Sequence, residues 1–259
     1  MLVKTEAIVL KSIKYRSTSK IVSFYSKEFG KLKGIAKGAR DIKNKFGSAL
    51  EPLSYSMLVI YKKEHRELHL ISQCDTIYSF KNLFKVLDKL LIGLDIAGLV
   101  DAVTHDEDKN LKLFELLLDT LKSLDESEKN FKSFLHAFEL HLAEIFGYSP
   151  NLNTCSMCGK AMTSLDKEKD IVFFRIDRGA VLCNICHKKV DDKSSYKTSS
   201  LTLISPQTLL YAQKLVKEAI TSLSNIEYDE KVSEETGGLI KSYLNYHFGN
   251  LRSINLEYY

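Results

Sequence analysis

The stretch LSYSMLVIYK, Leu53 to Lys62, sets Leu53, Tyr55, Met57, Val59 and Tyr61 on one face at a spacing of two, which is the period of a β-strand and not of a helix. Pro52 stands at its entrance, where a missing N–H costs no ladder bond. Four neighbouring segments read the same way. EAIVLKSI (Glu6 to Ile13) is apolar and β-branched, and KIVSFYS (Lys20 to Ser26) alternates through Val22 and Phe24. KLKGIAKGA (Lys31 to Ala39) is short with glycines at its bends, and ELHLISQCDTI (Glu67 to Ile77) sets Leu68 and Leu70 opposite Ile71. Such residues suit a pleated, half-buried surface. Five short strands with little room for a long helix between them predict a small antiparallel barrel or sandwich over residues 1–80.

Beyond Phe80 the period changes. Leu83, Val86, Leu87, Leu90, Leu91 and Leu94, then Leu113, Leu116, Leu117 and Leu121, then Phe131, Phe134, Leu135, Phe138, Leu142 and Phe146 recur at helical spacing, giving three amphipathic helices. The third stops at Gly147, with Pro150 close behind. Ser205-Pro206 supplies an N-cap and a first-turn proline to another helix through Leu209, Leu210, Leu215 and Ile220. A last helix follows Ser233-Glu-Glu, with acids in its first turn, through Leu239, Ile240, Tyr243 and Leu244. The aromatic stripes on these helices are read as core, and His136 and His141 as packed or surface histidines.

Between the third and fourth helices stand CSMCGK and CNICHK, with 24 residues separating Cys158 from Cys183. Two C-x-x-C knuckles at such a separation place four thiolates around one zinc, each pair clasping the ion from a tight turn. Gly159 suits the positive φ that a knuckle needs after its second cysteine. A redox-active C-x-x-C would need a thioredoxin-like βαβ context, and none is present. His187 is an alternative fourth ligand, but adjacent residues seldom point the same way, so Cys155, Cys158, Cys183 and Cys186 lead. With every position filled by protein the zinc, one per chain, is structural and not catalytic. Its binding free energy, on the order of 10 kcal/mol, would fold a segment from Asn151 to about Asp191 that is too small and polar to bury a core. Cys74, in a strand, is read as a buried apolar side chain.

The charge is unevenly spread. Residues 1–80 carry 15 Lys and Arg against 7 Asp and Glu, and the rest of the chain 22 against 26. Six of the basic residues, Lys31, Lys33, Lys37, Arg40, Lys43 and Lys45, fall in GKLKGIAKGARDIKNKFG with Asp41 as the one acid. A lysine-rich chain inflates any exposed loop, yet a cluster of this density is a polyanion-binding feature. Tyr15, Phe24, Tyr25 and Phe46 lie near it in sequence, each readable as core or as a stacking platform. A five-stranded barrel with a basic loop is the architecture of OB-folds that bind single-stranded nucleic acid. The expected fold is therefore α+β and multidomain: an OB-fold DNA-binding domain (1–80), a helical domain (81–150 and 192–259) and a zinc-ribbon-like insertion (151–191).

The segment AIVLKSIKYRSTSKIVSFYSKEFGKLKGIAKGAR resembles the opening of the RecO recombination mediators. The resemblance continues through LEPLSY (Leu50 to Tyr55), GYSPNLNTCSMCG (Gly147 to Gly159), the second C-x-x-C and YLNYHFGNLRS in the last helix. It implies a DNA repair and recombination mediator that is not an enzyme. Such a protein binds single- and double-stranded DNA, anneals complementary strands, and with RecR helps load RecA onto strands covered by single-strand-binding protein. Consistent with this, the sequence has no G-x-x-x-x-G-K-[ST], G-x-S-x-G or H-E-x-x-H, so no nucleotide cofactor or common hydrolytic site is expected. Two other readings compete. A zinc-stabilised nuclease would need clustered carboxylates near the barrel, where Asp41 stands alone in the loop. A zinc-ribbon module of the translation or transcription machinery would concentrate positive charge in the ribbon. There Lys160, Lys167, Lys169, Arg175, Arg178, Lys188 and Lys189 stand against Asp166, Glu168, Asp170 and Asp177, a mild balance of +3. Apolar runs such as Leu90 to Val100 are too short to cross a bilayer, and the N-terminus has no export signal, so a cytoplasmic, nucleoid-associated protein is expected.

Overall fold

A computed structural model describes residues 1–63, 66–163, 165–166, 170–191, 200–249 and 251. They fall into two units, one Met1–Ser127 and one from Glu128 onward. Lys167, Glu168 and Lys169 of the ribbon, and Asn250, Arg252 and Ser253 of the C-terminal motif, lie outside the described residues.

In the first unit, β1 (Leu2–Tyr15), β2 (Ser19–Ser26), β3 (Gly30–Ala36), β4 (Tyr55–Tyr61) and β5 (Leu68–Tyr78) close into a barrel in the order β1-β2-β3-β5-β4. Every pairing is antiparallel except β3 with β5, which run parallel from Lys33–Leu68 to Ile35–Leu70. This is the expected OB-fold. β1 is long enough to serve two neighbours, pairing with β4 through Leu2 to Ile8 and with β2 from Ala7 to Tyr15. An irregularity between Val9 and Lys11 bends it around the barrel.

Val9, Val22, Phe24, Leu32, Leu58, Ile60 and Ile71 fill the interior, each contributing about 1.5–3 kcal/mol by leaving water. Cys74 joins them as expected. Its thiol donates to the Ala49 carbonyl at 3.4 Å, and burial pushes its pKa up to about 11. In β4 the inward residues are Leu58 and Ile60, whereas Met57, Val59 and Tyr61 look outward. The strand is apolar on both sides, so its period defines two faces without saying which is the core. Tyr55, on the outward face, is buried edge-on against Phe114, with ring centroids 6.4 Å apart.

Gly30 turns β2 into β3 with φ +67°, and a Cβ there would lie 2.0 Å from the Asp108 carbonyl oxygen, so no other residue fits. The long connection from Lys37 to Ser54 covers one end of the barrel, sending Ala39, Phe46, Ala49 and Leu50 into the core. The unit is completed by α1 (Leu87–Val103) and α2 (Leu111–Glu126). The periodic stretch beginning at Leu83 starts as a short 3-10 turn, Leu83–Lys85, because Val86 is extended. Buried Asp125 fastens that turn: its carboxylate accepts from the Leu83 N–H at 2.6 Å and the Tyr78 hydroxyl at 3.3 Å.

In the second unit, α3 (Phe131–Ile145), α5 (Pro206–Lys217) and α6 (Glu230–Phe248) pack together. Ser205 caps α5 as expected, its hydroxyl accepting from the Thr208 N–H at 3.1 Å. α6 starts earlier than Ser233, because the Asp229 side chain accepts from the Lys231 N–H at 3.0 Å and Ser233 is buried within the helix. The cysteine segment contributes β6 (Val172–Arg175), β7 (Ala180–Cys183) and α4 (Asn184–Asp191). With β8 (Leu201–Ile204) the two strands form an antiparallel sheet ordered β7-β6-β8. Strands of four residues leave too little period to read from sequence. No helix among the described residues is long and apolar enough to cross a membrane.

Candidate nucleic-acid interface and metal centre

Folding divides the six basic residues into two groups. Lys31 and Lys33 lie on β3, two residues apart and therefore on the same side of the strand, facing the end of α1 and the turn after it. Lys31 is only 8 % exposed. Its ammonium donates to the Asp101 carbonyl at 2.6 Å and sits 3.7 Å from the Asp101 carboxylate. Lys33 pairs with Asp106 at 2.9 Å, a hydrogen bond that raises its pKa. Both ammonium groups are held by acids of the same unit.

Lys37, Arg40, Lys43 and Lys45 are exposed on the connection that crosses the barrel end. Three hydrogen bonds, at two places, fix its course. The Arg40 N–H donates to Thr18 at 2.9 Å, and the Arg40 guanidinium to the Arg16 carbonyl at 3.0 Å, which ties the connection to the β1–β2 turn. The Lys45 ammonium donates to the Ser72 carbonyl at 2.5 Å, tying it to β5, and lies over the Phe46 ring at 5.2 Å. Lys37 and Lys43 have no ion pair or hydrogen bond among the described residues. Arg16, exposed in the turn beside Arg40, joins this group and was not singled out from the sequence. Of the nearby aromatics Phe24, Tyr25 and Phe46 are buried, while Tyr15 stays half-exposed with Arg16 over its ring at 5.3 Å.

The sulfurs of Cys155, Cys158, Cys183 and Cys186 all lie within 4.8 Å of one another. Those of Cys158 and Cys183 are 3.9 Å apart, against about 3.8 Å for two corners of a tetrahedron with Zn–S bonds of about 2.3 Å. The first knuckle is a local turn: the Gly159 N–H donates to Cys155 O at 2.9 Å, the Cys155 N–H to Lys160 O at 2.8 Å, and Gly159 has φ +72°. Burial works to raise the Cys155 pKa, but backbone N–H groups of Cys183, Cys158 and Met157 outweigh it and hold the thiol below its usual range. Burial and the surrounding thiols push Cys186 the other way. Four thiols this close cannot all ionise alone, and a divalent cation at their centre removes the conflict, so the donor set fits a structural metal. His187 is turned to another use, its ring stacked on Phe173 at 3.6 Å. Among the described residues the cysteines are the one cluster of three or more metal-ligating side chains, and no carboxylate cluster of the kind a nuclease needs accompanies the barrel.

Residues 1–80 match the family model described as Recombination protein O N terminal, and residues 85–253 the one described as Recombination protein O C terminal. The chain belongs to the RecO family. It is similar to the DNA repair protein RecO of Chloroherpeton thalassium, 31% identical over 253 residues that cover 97% of this chain and 95% of that one. The DNA repair protein RecO of Alkaliphilus metalliredigens is 30% identical over 257 residues, 99% of this chain and 98% of its own. That of Thermoanaerobacter sp. is 30% identical over 246 residues, covering 95% and 92%. RecO proteins form a family of DNA-repair mediators, not of catalysts. An OB-fold barrel with an exposed cationic connection and a four-cysteine cluster without an open coordination position is consistent with that character.

Proposed function

We propose that this protein is a DNA repair and recombination mediator that binds single- and double-stranded DNA through the barrel. It anneals complementary strands and, with RecR, helps load RecA onto strands coated by single-strand-binding protein, working in the cytoplasm at the nucleoid. The observation that carries this reading is the row of exposed cations, Lys37, Arg40, Lys43 and Lys45, laid across the barrel end and anchored at Thr18 and Ser72. Cations fixed in position neutralise phosphates without paying to order a loose loop. Lys31 and Lys33 support the surface from behind, holding the wall of the barrel to Asp101 and Asp106. Annealing is opposed by repulsion between two polyanions, and a cationic surface lowers that barrier without a fuel. In this division residues 1–80 handle DNA, while zinc folds residues 151–191 as a brace for the helical part.

Mixing two complementary oligonucleotides, one labelled, with the purified protein tests the reading. Annealing is expected to accelerate without ATP, on bare strands and on strands coated with single-strand-binding protein. No acceleration, or acceleration only with ATP, would overturn it.

A further inference from the structure

The four cysteines differ in access. Cys155, Cys183 and Cys186 are buried, whereas Cys158, at the end of the first knuckle, is exposed. A zinc ligand is held as the thiolate, the form of cysteine that reacts with oxidants. Hydroperoxides select thiolates that solvent reaches and that have a second cysteine at hand to complete a disulfide. Cys158 meets both conditions.

The geometry also names the second cysteine. The Cys183 sulfur, in the other knuckle, lies 3.9 Å from that of Cys158, and a disulfide asks the two to close to about 2.05 Å. The Cys155 sulfur is already engaged, accepting the Cys183 N–H at 3.4 Å. Backbone bonds set the two knuckles side by side. The Asn151 N–H donates to Gly179 O at 2.7 Å, the Ser156 N–H to Val181 O at 2.9 Å and the Val181 N–H to Asn151 O at 3.2 Å. They lay the first knuckle along β7, whose last residue is Cys183. A bond from Cys158 to Cys183 therefore joins segments that the fold has already brought together, and closes the 24 residues between them into a loop. A bond within one knuckle would close a single turn and leave the two knuckles unlinked.

We propose that the cluster is an oxidant-responsive site, in which a hydroperoxide converts Cys158 and Cys183 to a disulfide that releases the metal yet keeps the ribbon closed. The Cys158 thiolate attacks the terminal peroxide oxygen, the O–O bond breaks, and the departing oxygen takes a proton, leaving a sulfenic acid on Cys158. The Cys183 thiolate then attacks that sulfur. The S–S bond forms, the S–O bond breaks, and hydroxide leaves and takes a second proton to become water. Two thiolates, one hydroperoxide and two protons thus give one disulfide, one alcohol and one water, or two waters from hydrogen peroxide. The two electrons lost by the sulfurs reduce the peroxide. With two of the four donors consumed, Cys155 and Cys186 do not hold the ion by themselves. The inference rests on the structural-zinc reading and adds to it a second closed state of the ribbon, reached under oxidising conditions.

The test treats the full chain, reduced and zinc-loaded, with hydrogen peroxide. Released zinc is followed with a chelating dye, and disulfides are mapped by mass spectrometry after free thiols are blocked and the chain is digested without reductant. One zinc per chain should appear as two hydrogens per chain are lost, and the mapped bond should be Cys158–Cys183. Dithiothreitol with added zinc should reverse both changes. In limited proteolysis the oxidised, metal-free protein should be cut within the ribbon about tenfold more slowly than reduced protein stripped by a chelator. The inference is overturned by a bond mapped within one knuckle, by a sulfinic acid on Cys158 without any bond, by zinc retained after the bond has formed, or by equal cutting of the two metal-free forms. Those results in a zinc-loaded protein leave the zinc reading standing, whereas reduced protein without stoichiometric zinc would overturn that reading and the release of metal with it.

Discussion

The four cysteines and the six clustered cations were equally conspicuous in the sequence, and folding treats them in opposite ways. The cysteines converge, with every sulfur within 4.8 Å of the others. The cations diverge, two bound to acids and four left on an exposed connection. The reason is the range of the interactions that place them. Each knuckle is a turn closed by its own backbone, as in the bond from Gly159 to Cys155, so only one long-range relation, between the two knuckles, has to be met. The fate of Lys31 and Lys33 is decided by Asp101 and Asp106, about 70 positions away, which reach β3 only because α1 ends beside the barrel. Ligand spacing survives folding, whereas a count of charges is redistributed by whatever acids arrive.

The largest effect expected from breaking this contrast is on the cysteine side. Cys155→Ser or Cys183→Ser should abolish binding of one zinc per chain and remove on the order of 10 kcal/mol from the folding of the ribbon. Circular dichroism and limited proteolysis should show the barrel still folded. Metal analysis finding no stoichiometric zinc in reduced wild-type protein would contradict this.

Acid should separate the two regions next. Thiolates must stay deprotonated to hold a metal, so taking the protein from pH 7 to about 5 should release it. Lysine and arginine side chains keep their charge over that range, and the salt dependence of DNA binding should therefore persist. Loss of both together would mean that the cation surface depends on the metal.

Within the cationic segment the contrast is smaller and runs between neighbours. Lys31→Ala removes a charged hydrogen bond to Asp101 from a nearly buried position and should cost about 2 kcal/mol in urea unfolding of the first unit. Lys37→Ala, an exposed residue without an ion pair or hydrogen bond among the described residues, should change stability by less than about 0.5 kcal/mol. Equal costs would erase the division drawn between the two groups.

The same difference in range explains what could be read before folding. The barrel was legible because period-two alternation is local, and the four-cysteine cluster because C-x-x-C spacing is local. The inward face of β4 was not, since LSYSMLVIYK is apolar on both sides and only the closing of the sheet buries Leu58 and Ile60. Arg16 was missed although a turn between two strands is visible in the sequence, because its place beside Arg40 depends on a contact spanning 24 positions. The early start of α6 had a sequence signal in Asp229, an ordinary N-cap residue that the acids after Ser233 overshadowed.

The central claim, that the four exposed residues of the cation cluster hold DNA, is tested most directly by the salt dependence of single-strand affinity in wild-type protein and in Lys37→Ala with Arg40→Ala. With about four phosphate contacts at ~0.7 each, the wild-type slope of log affinity against log salt should be near −3. The double substitution should flatten it by roughly 1 to 1.5 and weaken all sequences alike, because phosphate contacts carry no base information. Zinc content and melting should not move. An unchanged affinity and slope would contradict the claim and make the connection over the barrel end a solvated surface.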